Sequence, residues 1–358
     1  MGSINDKLKY LSDTKTQLYN AFKSKGSDIT NETPFRNYPT EVYKLAQGTY
    51  TPIVSPIGLR VWLDAIENQG ANAPRISGES NKWHPLIGIN SWGNPVKART
   101  NYFDNDSVTF TSTTSYGFYG SSPYGYKDIT NYNKDCTLEL VFTLNEILSD
   151  TQHLFGFIGG GGGYSIRVDK SGNLYGTCYI GSKPTYTITP YREIPVGTKV
   201  YCCLRVKEGE AHFFNSYYEI DEFTTLKDAL CSPTAYSLCI GYRGNDVGSY
   251  SANFSHITVN SARYYTRYIT NEEMMNNYLY DKSRFNVKVP KKLIISPNPL
   301  DATVILTATG YTQEGNNISV LEGTEVTYSV SKDGYTTQTG TVVVSENQTL
   351  NITLNTTS

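Results

Sequence analysis

Short runs of alternating apolar and polar residues, separated by turn-forming residues, fill the sequence from Thr49 to Phe285. Val, Ile, Tyr, Phe and Thr dominate the runs, whereas Gly, Asn, Asp, Pro and Ser separate them, a pattern typical of β-strands. The run from Gly159 to Gly163 joins two such strands and predicts a hairpin tip, because a phosphate-binding glycine loop requires a helix after it. The pattern therefore predicts an antiparallel β-sandwich for most of the chain.

The first 48 residues have a different periodicity. Apolar residues recur at helical spacing and predict an amphipathic helix that ends near Gly26; they are Ile4, Leu8, Leu11, Leu18 and Phe22. We call this row of apolar residues the seam. Two alternatives remain open for it: the seam associates with other copies as a short coiled coil, or a second helix from about Pro34 covers it within one chain. In both cases residues 1–48 form an attachment or oligomerisation segment.

Two further segments complete the predicted organisation. Thr270 and Glu273 have the spacing of a capping box, which predicts a short helix at the end of the middle region. Strand patterns then recur from Lys291 to Leu354 and predict a small Ig-like sandwich. The predicted domains are 1–48, 49–288 and 289–358.

Composition excludes several classes of function. The 358 residues carry 18% charged side chains and a net charge of -2, so no basic surface for nucleic acid is expected. No apolar run approaches the length of a membrane span, and the N-terminus lacks the apolar region of a secretion signal, which predicts assembly in the cytoplasm. The six cysteines show no metal-binding or redox spacing and are expected to be small buried apolar residues.

The middle region resembles the LamG/concanavalin A-like jelly rolls. The resemblance rests on VWLDAIEN, NYFDNDSVTF, CTLELVFTL and VGTKVYCCLRV, and above all on the terminal ARYYTRYITNEEMMNNYLYDKSRF. The last string is similar to the final strand and Thr-capped helix of phage and bacterial members. This resemblance implies a lectin-like sandwich.

The two flanking segments resemble other modules. Residues 289–358 are similar to PEGA-type Ig-like domains through the SPNPLDA turn and the GTEVTY strand, although Asp301 stands where those domains have glycine. The INDKLKYLSDTK leader and PFRNY resemble helical leaders of tailed-phage appendage proteins. The combination implies a virion component of tail, baseplate or head fibre, most simply a homotrimer, that contacts other virion proteins and a host-surface glycan or protein.

Catalytic signatures are sparse. Glu219 and Asp221 alternate as the carboxylates of concanavalin-like glycosidases do, but Phe223 and Thr224 occupy the position of the third carboxylate. The four histidines lie in no protease or esterase motif. We therefore expect no enzymatic activity; the alternative is a carbohydrate-active enzyme or a bacterial surface lectin of the same fold.

The sequence contains more candidate residues for ligand binding than for catalysis. Two loops rich in tyrosine offer rigid amphipathic rings for a glycan or protein ligand; their candidate residues are Tyr116, Tyr119, Tyr124, Tyr126, Tyr242, Arg243 and Asp246. The alternative is that these rings pack over sheet edges or against another subunit. No cofactor is expected, except that Asp104 and Asp106 offer oxygen ligands to a structural calcium ion, with a simple turn as the alternative.

Overall fold

A computed structural model describes most of the chain from residue 135 onward and scattered parts before it. The described residues are 12, 14–16, 19, 54, 57–66, 82–83, 92–93, 102–103, 106–111, 118–119, 135–159, 162–180, 186–188, 192–226, 238–241, 244–246, 249–250 and 255–357. Of these, 82–83, 92–93, 102–103, 118–119, 158–159, 162, 179–180, 244–246 and 249–250 are described by their backbone alone.

The chain divides into two compact units, Met1–Val54 and Ser55–Ser358. In the first unit, Ser12, Thr14, Lys15, Thr16 and Tyr19 are helical, and the Thr16 hydroxyl donates to the carbonyl of Ser12 four residues earlier. These residues confirm a helix in the predicted place. The seam residues Ile4, Leu8, Leu11, Leu18 and Phe22 lie outside the described residues.

The strands of the large sandwich run between residues 59 and 265. They are β1 (Leu59–Asp64), β2 (Lys82–Trp83), β3 (Trp92–Gly93), β4 (Tyr102–Phe103), β5 (Val108–Phe110), β6 (Phe118–Tyr119), β7 (Cys136–Leu144), β8 (Gln152–Gly159), β9 (Gly162–Val168), β10 (Asn173–Ile180), β11 (Tyr186–Thr187), β12 (Arg192–Glu193), β13 (Lys199–Lys207), β14 (Glu210–Asn215), β15 (Ile220–Thr225), β16 (Cys239–Ile240), β17 (Gly244–Asp246), β18 (Ser249–Tyr250) and β19 (Ile257–Tyr265).

Most of these strands form two antiparallel sheets. The eight-stranded sheet has the order β15-β14-β13-β7-β19-β5-β4, with β1 also on β19. The nine-stranded sheet has the order β11-β10-β9-β8-β16-β6-β3-β2, with β12 also on β10. Their inner faces share one apolar core that includes Phe142, Leu204 and Ile166. The predicted antiparallel sandwich is confirmed, as is the hairpin between β8 and β9, where Gly159 pairs with Gly162.

Five of the six cysteines lie in the described part of the chain. Cys136, Cys178, Cys202, Cys203 and Cys239 are buried free thiols, and burial raises the pKa of the first four above the ordinary thiol value. The prediction of small buried apolar residues is confirmed for these five.

One helix, α1 (Asn271–Phe285), packs on the outer face of the eight-stranded sheet. The side chain of Thr270 accepts from the Glu273 amide at 3.1 Å, and Glu273 Oε2 accepts from the Thr270 amide at 2.9 Å. The predicted capping box is therefore confirmed. No helix among the described residues is long and apolar enough to cross a membrane.

A buried polar network joins α1 to the sheet. Arg263 on β19 donates to Glu139 on β7 at 3.1 Å and to Asp281 on α1 at 2.5 Å. Asn277 on α1 and Tyr201 on β13 donate to the same Glu139 carboxylate at 2.9 Å and 2.6 Å. All five side chains are almost completely buried; the bonds of Asp281 and Asn277 fix the helix on the sheet, and the other two join neighbouring strands beneath it.

A second ion pair extends this network. Both terminal nitrogens of Arg284 on α1 bind the buried carboxylate of Asp64 on β1, at 2.6 Å and 2.9 Å. The indole of Trp62, also on β1, lies 5.1 Å from the guanidinium of Arg263. The last turn of the helix is therefore held to the edge strand by a bidentate pair.

The C-terminal strands form a separate sandwich with its own core. They are β20 (Pro290–Asn298), β21 (Thr303–Thr307), β22 (Gln313–Glu314), β23 (Asn317–Leu321), β24 (Thr324–Ser331), β25 (Gln338–Val344) and β26 (Gln348–Thr353). A four-stranded sheet of order β22-β23-β20-β26 faces a three-stranded sheet of order β21-β24-β25. The pair β20–β26 is parallel, whereas the other pairs are antiparallel. The predicted small Ig-like sandwich is confirmed; its core includes Leu293, Ile318 and Val326.

Direct contacts join the two sandwiches. Lys282 on α1 binds Glu322 at 3.0 Å, and Lys291 on β20 binds Glu219 at 3.0 Å. The amide of Glu322 also donates to the carbonyl of Val289 at 2.8 Å. The link between the sandwiches is therefore short and held at several points.

Candidate functional site

The two tyrosine-rich segments predicted from the sequence lie near one another beside β8. Tyr119 on β6 pairs with Cys239 on β16, and Cys239 pairs with Gly156 on β8, all in the nine-stranded sheet. Asp246 belongs to β17, which pairs with β18 in a separate two-stranded sheet and lies against β8. The structure thus brings the described backbones of both segments close to one part of the nine-stranded sheet. Tyr116, Tyr124, Tyr126, Tyr242 and Arg243, and the side chains of Tyr119 and Asp246, lie outside what the structure describes.

The same part of the sheet carries an unusual set of side chains on its outer face. Alternation along the strands sends Phe157, Tyr164 and Ile166 into the core. The residues at the intervening positions therefore point away from the core, and we call them the outer-face cluster: His153, Ser165, Arg167, Tyr175 and Thr177.

The cluster is polar but largely inaccessible. His153, Ser165 and Thr177 are each no more than 2% exposed, although they lie outside the apolar core. Ser165 Oγ lies 2.8 Å from Nδ1 of His153, and Nε of Arg167 donates to the same Oγ at 3.3 Å. A second serine, Ser255, donates to the carbonyl of His153 at 2.6 Å. The face therefore holds a recessed hydrogen-bonding group, which sequence reasoning missed because only the strand register brings His153 and Ser165 together.

The Ser165–His153 contact differs from a hydrolytic pair in its exposure. A serine nucleophile requires a hydroxyl that a substrate can reach and a histidine that accepts its proton. Here both side chains are no more than 2% exposed, and the Ser165 hydroxyl accepts from Nε of Arg167 at 3.3 Å. Arg167, the partly exposed member of the cluster, instead suits hydrogen bonding to the oxygen atoms of a ligand.

The predicted carboxylate pair does not form as expected. Glu219 precedes β15 and lies in a turn with φ 54°, so it leaves the alternation that places Asp221 on the strand. Glu219 binds Lys291 at 3.0 Å, whereas Asp221 binds the buried guanidinium of Arg205. The two carboxylates therefore engage different cations, and the expectation that they share one face is wrong.

Asp221 belongs instead to a second polar cluster, on the outer face of the eight-stranded sheet. His212 lies between two carboxylates, with Nδ1 3.2 Å from Asp221 and Nε2 3.6 Å from Glu210. The ring of Phe223 lies 5.0 Å from the imidazole and is 52% exposed. A hydrogen bond from Lys207, at 2.7 Å, lowers the pKa of Glu210 below its ordinary value. The contact between Asp221 and His212 joins β15 to β14, although Oδ1 of Asp221 is buried without a hydrogen-bond partner.

Of the two predicted calcium ligands, the structure describes only Asp106. Asp106 has its carboxylate 3.8 Å from the ammonium of Lys199, and its carbonyl accepts from Asn260 at 2.7 Å. Asp104 lies outside the described residues. Within the described part of the chain, no group of three His, Cys, Asp or Glu side chains has the spacing of a metal site. A calcium ion at Asp104 and Asp106 stays a prediction.

Comparison with known proteins gives one family match. Residues 291–355, which form the small C-terminal sandwich, match the family described as head fiber dimeric protein-like domain. Among proteins with curated descriptions, none matches the sequence of this chain.

Solved structures give only distant likenesses. Trypanosoma rangeli sialidase is 14% identical with a TM-score of 0.46, covering 76% of this chain and 39% of the sialidase chain. The sialidase CBM40 of Ruminococcus gnavus, bound to alpha2,3 sialyllactose, is 12% identical with a TM-score of 0.38, covering 48% of this chain and 95% of that one. A Limulus polyphemus SAP-like pentraxin is 12% identical with a TM-score of 0.33, covering 41% and 70%. This chain thus spans well under half the length of the sialidase, and these likenesses extend no further than the β-sandwich architecture.

Proposed function

We propose that this chain is a structural component of a phage head fibre. The observation that carries the proposal is the match of residues 291–355 to a head fiber dimeric protein-like domain. The resemblance of the N-terminal leader to phage appendage proteins supports the same assignment. In this proposal the helical segment 1–48 attaches the chain to other virion proteins, and the protein is found in the virion after assembly in the host cytoplasm.

The large sandwich supplies the recognition surface in this proposal, as a LamG-type lectin domain would. Its ligand is a host-surface glycan or protein that contacts the two tyrosine-rich segments and Arg167, the partly exposed member of the outer-face cluster. The pairing of Tyr119 with Cys239, three residues before Tyr242, supports a single surface formed from both segments. The buried Ser165 and His153 hold Arg167 in place and do not contact the ligand themselves.

No catalytic step belongs to this proposal. Glu219 and Asp221 bind separate cations, and the Ser165 and His153 side chains are almost completely buried. We therefore expect purified protein to bind polysaccharide or cell surface without releasing reducing sugar. Sugar release that survives repurification and disappears in Asp221→Asn would overturn this part.

The third part of the proposed function concerns how many copies of the chain associate. The seam of the N-terminal helix predicts a trimer, whereas the family that the C-terminal sandwich matches is described as dimeric. We propose two copies associating through the C-terminal sandwich, because that match covers a complete, compact unit. Light scattering of the full chain distinguishes masses of one, two or three copies.

The virion assignment is tested on purified particles. Antibody against residues 289–358, conjugated to gold, should label phage heads in electron micrographs, and mass spectrometry should find the chain in particles purified twice on density gradients. Labelling confined to tails would move the chain to another appendage. Absence from particles that contain the other structural proteins would refute the assignment.

The recognition surface needs a separate assay. Arg167→Ala should weaken adsorption of the purified protein to host cells, and Arg192→Ala provides the matched control. Arg192 lies on the same sandwich, where it binds Glu222 at 3.0 Å and lies over the ring of Tyr218, away from the outer-face cluster. Equal adsorption by both variants would separate the cluster from recognition while leaving the virion assignment in place.

A further inference from the structure

One face of the C-terminal sandwich carries mostly short hydroxyl side chains in the part of the chain that the structure describes. It is the outer face of the sheet β21-β24-β25, where alternate residues point away from the core. We call it the hydroxyl face; its residues are Thr303, Ile305, Thr307, Glu325, Thr327, Ser329, Ser331, Thr339, Thr341 and Val343.

The chemistry of this face excludes several partners. Five threonines, two serines and two aliphatic residues leave Glu325 as its single charged side chain. There is no basic group for a polyanion and no aromatic ring to stack on a sugar. The two aliphatic side chains are nevertheless well exposed, with Ile305 at 54% and Val343 at 55%. Such a face suits a second β-sheet of the same composition, whose short side chains fit between its own.

We propose that the hydroxyl face binds the hydroxyl face of a second copy of this chain. The inference rests on the proposed association of two copies through the C-terminal sandwich and names the surface that forms it. Two copies of one face are joined by a two-fold axis, so every contact occurs twice. Threonine and serine hydroxyls both donate and accept, and facing rows of them satisfy one another without a charged partner.

The charge of Glu325 selects between the two possible arrangements of the strands. Glu325 lies near the start of β24, and Ser329 lies near the middle of the strand. A two-fold axis along the strands would place the Glu325 carboxylates of the two copies together, whereas an axis across the strands at Ser329 moves them to opposite ends of the interface. The antiparallel arrangement is therefore favoured over the parallel one.

The size of the face determines how strongly it binds. Three strands spaced by about 4.8 Å and about eight residues at roughly 3.3 Å each give on the order of 400 Å² per copy. A stable interface uses about 800 Å² per partner. The face alone should therefore associate weakly, and attachment of two chains at a common site would raise their effective concentration and complete the pairing.

The test is chemical cross-linking of the full chain at the expected axis. Ser329→Cys and a matched control, Asn351→Cys, are treated with a bis-maleimide that spans about 10 Å, the spacing of packed sheets. Asn351 is exposed on β26 of the opposite sheet. Wild type treated in the same way gives the background from native cysteines, and light scattering gives the mass before treatment. We expect covalent dimers from Ser329→Cys at least tenfold faster than from Asn351→Cys.

Two further variants test whether cross-linking depends on the hydroxyl face or arises from random collisions. In the Ser329→Cys background, Ile305→Lys with Val343→Lys should abolish cross-linking, whereas Ile294→Lys on the opposite sheet should not. Ile294 is 38% exposed and so tolerates the same change. A native dimer whose Ser329→Cys form does not cross-link refutes the hydroxyl face but leaves the proposed dimer. A native monomer or trimer at the highest soluble concentration refutes the proposed dimer, and the face with it.

Discussion

Replacing Asp281 by asparagine should stabilise the protein at pH 7.5, although the change removes one partner of a buried ion pair. Burial raises the pKa of Asp281 from its ordinary 3.8 to about 6, against the opposing effect of Arg263. Three buried carboxylates, Asp64, Glu139 and Asp281, face two guanidiniums, Arg263 and Arg284. Asparagine leaves this described network balanced in charge.

The magnitude follows from the pKa. A shift of about two units corresponds to about 3 kcal/mol between the charged and neutral forms. Removing one partner of a buried pair usually costs about 3–5 kcal/mol, because the other charge is left unpaired. Arg263 keeps Glu139 at 3.1 Å in the variant, so that cost does not arise here. We expect Asp281→Asn to gain about 1–3 kcal/mol at pH 7.5.

The sign of the pH dependence gives a second readout. The folded protein holds the Asp281 proton more tightly than the unfolded chain, so this group begins to destabilise the fold above the unfolded pKa of 3.8 and does so fully above about pH 6. Its contribution to the free energy of unfolding therefore improves as the pH falls from 7.5 to about 4.5. The variant lacks this group, and the difference between the two proteins should shrink over that range.

Urea unfolding at pH 7.5, 6.0 and 4.5, followed by tryptophan fluorescence, measures both effects. Arg263→Met is the contrasting change, because it leaves three carboxylates with one guanidinium, and it should lose at least about 3 kcal/mol. A loss of more than 2 kcal/mol in Asp281→Asn at pH 7.5, or a difference from wild type that does not change with pH, would refute the reasoning.

Three further changes test the core, the helix cap and the rim. Gly176→Ala should lower the unfolding free energy by about 1–3 kcal/mol, because its new Cβ would lie 2.8 Å from Leu204 Cδ1 and 2.9 Å from Phe213 Cδ2. A Cβ added at Gly209 would meet no atom within 4 Å, so Gly209→Ala in the same denaturation series separates crowding from backbone effects. Thr270→Ala should lose about 1 kcal/mol by removing the cap on the Glu273 amide, whereas Thr270→Ser should retain most of it, as thermal unfolding will report. Tyr119→Ala and Tyr242→Ala should weaken adsorption to host cells by roughly tenfold or more without changing the melting temperature, by analogy with the loss of a stacking ring. Unfolding of these tyrosine variants would instead assign the rings to packing.

The sequence allowed the sandwiches to be predicted because alternation is a local property. CTLELVFTL and ITVNSARYY both read as strands, and they are β7 and β19. In the structure Glu139 on β7 and Arg263 on β19 lie on the outer face of the sheet, and local alternation cannot show that α1 covers them. An outward position becomes buried only when another element packs on it, and that depends on contacts between residues far apart in the chain.

The site was harder to predict for a related reason. Counting alternate residues placed Glu219 with Asp221, but β15 begins at Ile220, and the left-handed turn before it sends Glu219 toward Lys291. The outer-face cluster depends on register in the same way, since His153 pairs with Arg167 across two strands. A shift of one residue would exchange the core face and the outer face.

The outer faces of the two sheets of the large sandwich differ in what covers them, and this difference bears on how the proposed recognition can be tested. In the eight-stranded sheet, β7, β13 and β19 are nine-residue strands, and α1 covers their outer face. Substitutions there, such as Arg263→Met, disturb the buried network between the helix and the sheet. In the nine-stranded sheet, Arg167 on β9 is a partly exposed residue of the outer face. A loss of adsorption in Arg167→Ala at unchanged stability would therefore assign recognition to the nine-stranded sheet, whereas a loss that accompanies unfolding would assign Arg167 to packing.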